Sequence, residues 1–447
     1  MLALDFLLFG VFAPQAGPLA SLIGPSAHIA PVTRGLAVDF VISPSGSVTV
    51  AGNDLKAPSW SGSCALSEDE LAFAGGNLTA NIGLANHSGT SIQGVRFDFV
   101  NATETYKAKK PDGTEENRSR LQTVSFSSPC YFGDLADGES SISIPGSAKG
   151  IKLNPETVEV TVHAVVSGIS FKKQFLGPKK SLKGCGVVVD SSGDVIVGEA
   201  NNQALWRFSE DGDFKGEFGK LPTYGREVAL NPATGEFLVG LYNSHNEARV
   251  APDGTTSSAF AANLSEWPGA ARFDGKGRLF LKVGNKISTF ADYALSAAGS
   301  NKIGGLNIRD YDPFDFQGDQ TAWVLASNNL VKSNPSFASA VIVVKPGTGL
   351  LGEILPTQSP ALRCSPLGEL FAAEDGISGK YLPRISVFDA QGRFVRTFGL
   401  AGQNANPHQY LPGQLHSTPR DFAFGKAGQV YVTQYDAGCG LSEFVEF

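Results

Sequence analysis

Apolar residues along this chain fall into short runs separated by turn residues, and from residue 171 onward the runs recur with a period of about 42. The clearest copy begins with the continuous run Gly184 to Val189, turns at Asp190-Ser191-Ser192-Gly193, and returns as Val195 to Glu199. Two further runs, Ala204 to Phe208 and Phe214 to Gly219, complete it. Four short strands joined by tight turns at a repeat of about 40–45 residues predict one blade of a propeller. The first tight turns align on Gly193, Gly235, Gly277, Asp319, Gly368 and Gly428, at spacings of 42, 42, 42, 49 and 60. Six turns predict six blades, the last two enlarged by insertions near 376–383 and 400–417.

The final unit supplies only three strands: Asp421 to Phe424, Gln429 to Tyr435 and Leu441 to Phe447. A candidate fourth lies upstream of the first blade. Phe171-Lys172-Lys173-Gln174-Phe175-Leu176-Gly177 matches Phe214 to Gly219 and Phe394 to Gly399 in pattern. Pairing this outer strand with the last three would close the ring and leave no open edge. The units resemble NHL repeats, a six-bladed family, in the order G-V-V-V-D-x-x-G-x-V-x-V, then W-R-F, then F-x-x-x-F-G. The fourth unit, around Tyr311 to Asp319, departs most from that pattern. The resemblance covers about 275 residues and implies a fold, since propellers carry unrelated functions.

Residues 30–170 alternate without this period. Leu36 to Ile42, Ser47 to Ala51, Leu78 to Leu84, Val95 to Val100, Thr123 to Phe126, Ser141 to Ile144 and Val158 to Val166 read as strands of an antiparallel sandwich. The stretch Asn81 to Val95 resembles a hairpin of bacterial immunoglobulin-like surface domains. The expected organisation is all-β: an apolar segment (1–29), an immunoglobulin-like sandwich (30–170) and a six-bladed propeller (171–447). Only a few residues separate Val166 from Phe171, so the two domains are expected to be held rigidly.

Residues 1–13 are apolar, but Asp5 interrupts them and no Lys or Arg precedes Arg34. A secretory signal has a basic start, and a membrane span needs about 20 apolar residues. Three readings stay open: an atypical signal, a segment docked on this chain or a like subunit, and a membrane-surface anchor. The net charge of −7 and pI near 5.5 give no basic footprint for nucleic acid.

The five cysteines, Cys64, Cys130, Cys185, Cys364 and Cys439, contain no C-x-x-C. Cys64 with Cys130 across the sandwich, and Cys185 with Cys439 across the propeller seam, are expected as disulfides, which implies an oxidising compartment. Sequons at Asn77, Asn86, Asn101, Asn117 and Asn263 agree with a glycosylated surface protein. The expected placement is extracellular or in the cell envelope.

No Walker loop, G-x-S-x-G elbow or H-E-x-x-H occurs, which leaves standard nucleotide and hydrolase readings unsupported. By resemblance to NHL propellers, the ligand-facing rim would carry Glu199, Arg226, Tyr242, His245, Glu374, Asp375, His416, Arg420 and Tyr435. Arg226 and Arg420 occupy equivalent positions in two units and could clamp a carboxylate or phosphate. Their plainer role is pairing with Glu199 or Asp421. His245, His408 and His416 are the candidates for a zinc or calcium ion at the propeller mouth, with no cofactor as the simpler reading. The leading expectation is a binding or assembly protein whose partner is a protein or glycan at the cell surface, with self-association through the N-terminal segment. The alternative is a metal-dependent lyase or lactonase-type enzyme.

Overall fold

In the computed structural model, residues 35–446 are described except 53, 56–61, 127–129, 136, 141–143, 176, 178–181, 201, 243, 261–263, 267, 304, 310–311, 319–320, 327–328, 335, 338–339, 345–360, 375–383, 402–413, 416–418 and 435–440. The described residues are all β, with no helix among them, and the fold is of propeller type. The apolar segment 1–29, His408, His416, Asp375, Tyr435, Cys439 and Asn263 lie outside the described residues.

Two sheets form the N-terminal half. One joins Asp54–Leu55, Ser63–Ala74, Asn77–His87, Ile144–Lys149 and Ser125–Phe126. The other is built on two long strands, Ile92–Lys109 and Thr157–Gln174, paired antiparallel from Thr157↔Tyr106 to Ser170↔Ile92. Alternate residues of both sheets meet in one core, among them Val38, Phe40, Ile82, Leu84, Phe97 and Val162. Phe97 and Phe99 sit edge to face at 5.2 Å, and Phe99 stacks on Phe126 at 5.7 Å.

Five four-stranded antiparallel sheets follow, over residues 184–220, 225–258, 268–300, 314–344 and 362–398. Each runs outward from a first strand, and first strands of successive sheets are neighbours. That series begins at Gly184–Val189, passes through Gly225–Leu230, Pro268–Phe273, Phe314–Gln317 and Leu362–Cys364, and reaches Pro419–Phe424, which again neighbours Gly184–Val189. Gly186 shows how closely these strands approach: a Cβ there would lie 2.2 Å from the Val228 backbone nitrogen. Only glycine permits that spacing.

Thr157–Gln174 belongs to both halves. Along one edge it pairs with Leu36–Ile42 through residues 160–166, then with Leu441–Glu446 from Ile169↔Glu446 to Gln174↔Ser442. The segment between Val166 and Phe171 is therefore strand. Phe171 packs edge to face on Phe444 at 5.8 Å, and Phe444 meets Phe398 at 5.2 Å.

Polar contacts reinforce the junction. The Gly399 N–H donates to Gln93 Oε1 at 2.6 Å, and Arg96 donates to the Val395 carbonyl while pairing with Asp98 at 2.9 Å. Arg96 and Asp98 are 1% and 2% exposed. Gly94, at φ +58°, lies against the Thr397 carbonyl, where a Cβ would come within 2.5 Å.

Two expectations are corrected here. Neither disulfide forms: Cys64 and Cys185 are free thiols, and no disulfide joins described residues. Cys64 is buried and donates to Asn86 Oδ1 at 3.5 Å, so its place is that of a small core residue with a local partner. Asn86 is no glycan acceptor, because it is 0% exposed and its amide donates to the Thr90 and Leu135 carbonyls at 2.9 and 3.0 Å. Asn77 and Asn117 are exposed and Asn101 is partly buried.

Removing the Arg96 side chain takes a close charge partner from the buried Asp98. We expect Arg96→Ala to cost about 3 kcal/mol in chemical denaturation, whereas Arg118→Ala, on an exposed ion pair, costs less than about 1.

Candidate functional site

Four of the six first strands share a local irregularity. Their pairing with the second strands shifts register between Gly184 and Val187, Gly225 and Val228, Pro268 and Ala271, and Pro419 and Asp421. Such bulges re-aim side chains near functional sites. Here successive residues, which a regular strand would send to opposite faces, line one cavity: Arg226 with Glu227, and Arg420 with Asp421.

The cavity has a volume of about 690 Å³, inside the range of about 300–1,000 Å³ usual for small-molecule sites. Counting back from the residue that opens each hairpin places the wall in layers. Cys185, Arg226 and Arg420 hold equivalent positions at its outer layer, and Glu227 and Asp421 hold the next. Arg272, Asp315 and Arg363 follow two residues deeper.

The inner layers are electrostatically closed. Arg363 grips Asp421 through Nε and an Nη at 2.7 Å each. The Val187 N–H adds a bond to Asp421 at 3.1 Å. Asp315 accepts from the Cys364 N–H at 2.7 Å and lies 3.6 Å from Arg272. Burial pushes the Asp315 carboxyl above its usual range, partly offset by Arg363 and Arg272. Burial, with Arg363 beside it, pulls the Arg272 guanidinium down. For Arg363, burial alone would act the same way, but Asp421 and Asp315 outweigh it and hold the charge. Lys282 donates to the Asp312 carbonyl at 2.8 Å, and Arg309 holds the Asp312 carboxylate at 2.8 and 3.0 Å.

The outer layer is different. Arg226 is exposed, with its guanidinium 5.7 Å from the Tyr242 ring centre. Tyr224 and Tyr242 are joined by a backbone hydrogen bond of 2.9 Å, and both line the cavity. Burial raises the Cys185 thiol to about 11, against the pull of Arg226 and Arg420 acting from either side. Such a thiol is protonated and weakly nucleophilic at neutral pH.

Of the residues singled out in the sequence, Arg226, Tyr242, His245 and Arg420 come together on this wall. Glu199 is buried and accepts from the Lys183 N–H at 3.2 Å, behind it. Glu374 ends the strand Leu370–Glu374 in another sheet. Both oxygens of Asp421 take Arg363. Among the described residues no three His, Cys, Asp or Glu side chains gather as a metal site.

Sequence reasoning missed Glu227 and Glu247. Glu247 is 1% exposed, pairs with Gly240 on the cavity wall, and neither carboxyl oxygen has a hydrogen-bond partner among the described residues. Burial, reinforced by the nearby Glu227, pushes its carboxyl well above the usual range. An acid at the start of the short strand Glu247–Val250, two residues before another charge, gave no signal that its side of the strand is dry.

No protein-family model matches the sequence, and no curated protein does. The chain is similar in structure to a gluconolactonase from Xanthomonas campestris, at 12% identity over 63% of this chain and 90% of that one, with a TM-score of 0.43. A streptogramin B lyase gives 14% identity, 79% and 98% coverage and a TM-score of 0.40. A protein of unknown function from Bacteroides thetaiotaomicron gives 11%, 86%, 98% and 0.47. At these values the likenesses transfer neither activity nor ligand.

A carboxyl whose folded value is raised favours the folded state only while it stays protonated. The unfolded chain releases that proton near 4.5, so stability is lost as pH rises from there toward the folded value. We expect Glu247→Gln to match the wild type in melting temperature near about pH 4.5 and to exceed it increasingly toward about pH 8. A constant difference across that range contradicts the assignment.

Proposed function

We propose that this protein is a rigid binding scaffold whose mouth cavity receives a small carboxylate-bearing molecule between Arg226 and Arg420. The observation that carries the reading is the placement of these two guanidiniums on one cavity wall, on the strands flanking Cys185. Planar guanidiniums suit bidentate carboxylate recognition.

The finer architecture belongs to the same proposal. We read the sheets as six NHL-like blades, closed where Thr157–Gln174 pairs with Leu441–Glu446, and the N-terminal sheets as an immunoglobulin-like sandwich. Extracellular or envelope placement rests on the apolar start of the chain and the exposed sequons at Asn77 and Asn117. Binding of a cell-surface protein or glycan, and self-association through the N-terminal segment, complete the proposal.

A second reading, an enzyme of lyase or lactonase type at the mouth, is favoured by the carboxyl pair Glu227 and Glu247. Neighbouring acids whose environments differ are suited to proton transfer. Turnover of a lactone panel that disappears in Glu227→Gln would replace the binding reading with this one.

The binding reading is tested by titrating citrate into the full chain in a calorimeter. We expect saturable binding, weakened roughly tenfold or more by Arg226→Ala and by Arg420→Ala. Citrate should also slow alkylation of Cys185. Unchanged affinity in both variants overturns the clamp.

A further inference from the structure

We infer that the molecule taken up at this mouth is an acidic saccharide, held with its rings against a shelf formed by Tyr224 and Tyr242. This rests on the carboxylate-binding reading above and specifies its ligand. Tyr224 and Tyr242 are 42% and 47% exposed, although large aromatic side chains elsewhere in the described residues are mostly buried. The hydrogen bond from the Tyr242 N–H to the Tyr224 carbonyl fixes the two backbones side by side at the cavity edge. Arg226 sits at the Tyr242 ring, so the shelf and the anion donor are contiguous.

The remaining wall selects among ligands that could use such a shelf. Glu227 lines the cavity and is partly exposed, which offers a carboxylate acceptor on this wall. Glu266, exposed on the same wall, adds a second acceptor. Carboxylates on a cavity wall accept hydrogen bonds from a ligand's hydroxyl donors. An apolar side chain would leave Glu227 unpaired. A nucleic acid would bring phosphates toward both acids on a chain of net charge −7. A polyhydroxylated ring bearing a carboxylate satisfies all three elements together: C–H faces on the tyrosines, hydroxyls on Glu227 and Glu266, and the acid on Arg226 and Arg420. A cavity of about 690 Å³ accommodates more than one such ring.

The experiment compares four probes on the full chain by calorimetry: trigalacturonate, its fully methyl-esterified form, citrate and phenylpyruvate. We expect trigalacturonate to bind tightest. Tyr224→Ala and Tyr242→Ala should each weaken it roughly three- to tenfold while leaving citrate affinity unchanged, and Tyr242→Trp should retain binding. Citrate binding as tightly as trigalacturonate, with the tyrosine variants silent, overturns the saccharide inference and leaves the clamp standing. Phenylpyruvate binding tighter than trigalacturonate overturns it in the same way, because an aromatic acid is then preferred. Equal binding of the methyl ester, or no binding of any probe, overturns both readings.

Discussion

The pairing of one strand with two partners along a single edge governs the rest of the molecule. Thr157–Gln174 exchanges Leu36–Ile42 for Leu441–Glu446 between Val166 and Ile169, while Ile92–Lys109 pairs with its other edge from Thr157 to Ser170. A backbone ladder tolerates no slip there, because a shift of one residue would turn every side chain to the opposite face. Ile169 packs with Phe444 and Phe398 in one apolar cluster, whereas Val166 and Val162 belong to the N-terminal core. The same strand therefore joins the last propeller-type sheet to the N-terminal sheets. Gln93, Gly94 and Arg96 then fasten the neighbouring long strand to residues 395–399.

With the sheets held in that way, the first strands can bring charge into the interior. Asp421, Arg363, Asp315 and Arg272 come from four different sheets and neutralise one another across the axis. Such buried groups add little net stability, and they penalise any arrangement that separates partners. Their role is geometric: they hold the floor of the cavity in one configuration. The bulges above that floor present two successive side chains from a strand, which is how Arg226 and Glu227 both reach the cavity.

Much of the propeller was legible because tight turns leave a mark in sequence. Gly193, Gly235, Gly277, Gly368 and Gly428 all adopt positive φ, which side chains resist, so the turns stand out as a glycine period. The equivalence of Arg226 and Arg420 followed from the same period. The partners of these residues were not legible. A strict two-residue alternation would place Glu227 away from the face that Arg226 occupies, and the bulge that overrides it has no simple sequence signature. Cysteine count misled for a related reason: Cys64 and Cys185 are placed by local packing, with Asn86 and with the arginines, and spacing says nothing of that. Asn86 matched a glycosylation motif only because the motif ignores burial.

What distinguishes the mouth from the channel beneath it is which charges already have structural partners. Asp421 is saturated by Arg363 and the Val187 amide, and the Asp312 carboxylate by Arg309. Ligand recognition built on those groups would have to break contacts that hold sheets together. On the Tyr224, Tyr242, Arg226 and Glu227 side, by contrast, two exposed rings, an exposed guanidinium and a partly exposed carboxylate share one wall. Binding there draws on groups that the fold positions without consuming. In the proposed binding mode the scaffold stays rigid, and selectivity would reside in this outer layer, with the charged groups below acting as its support.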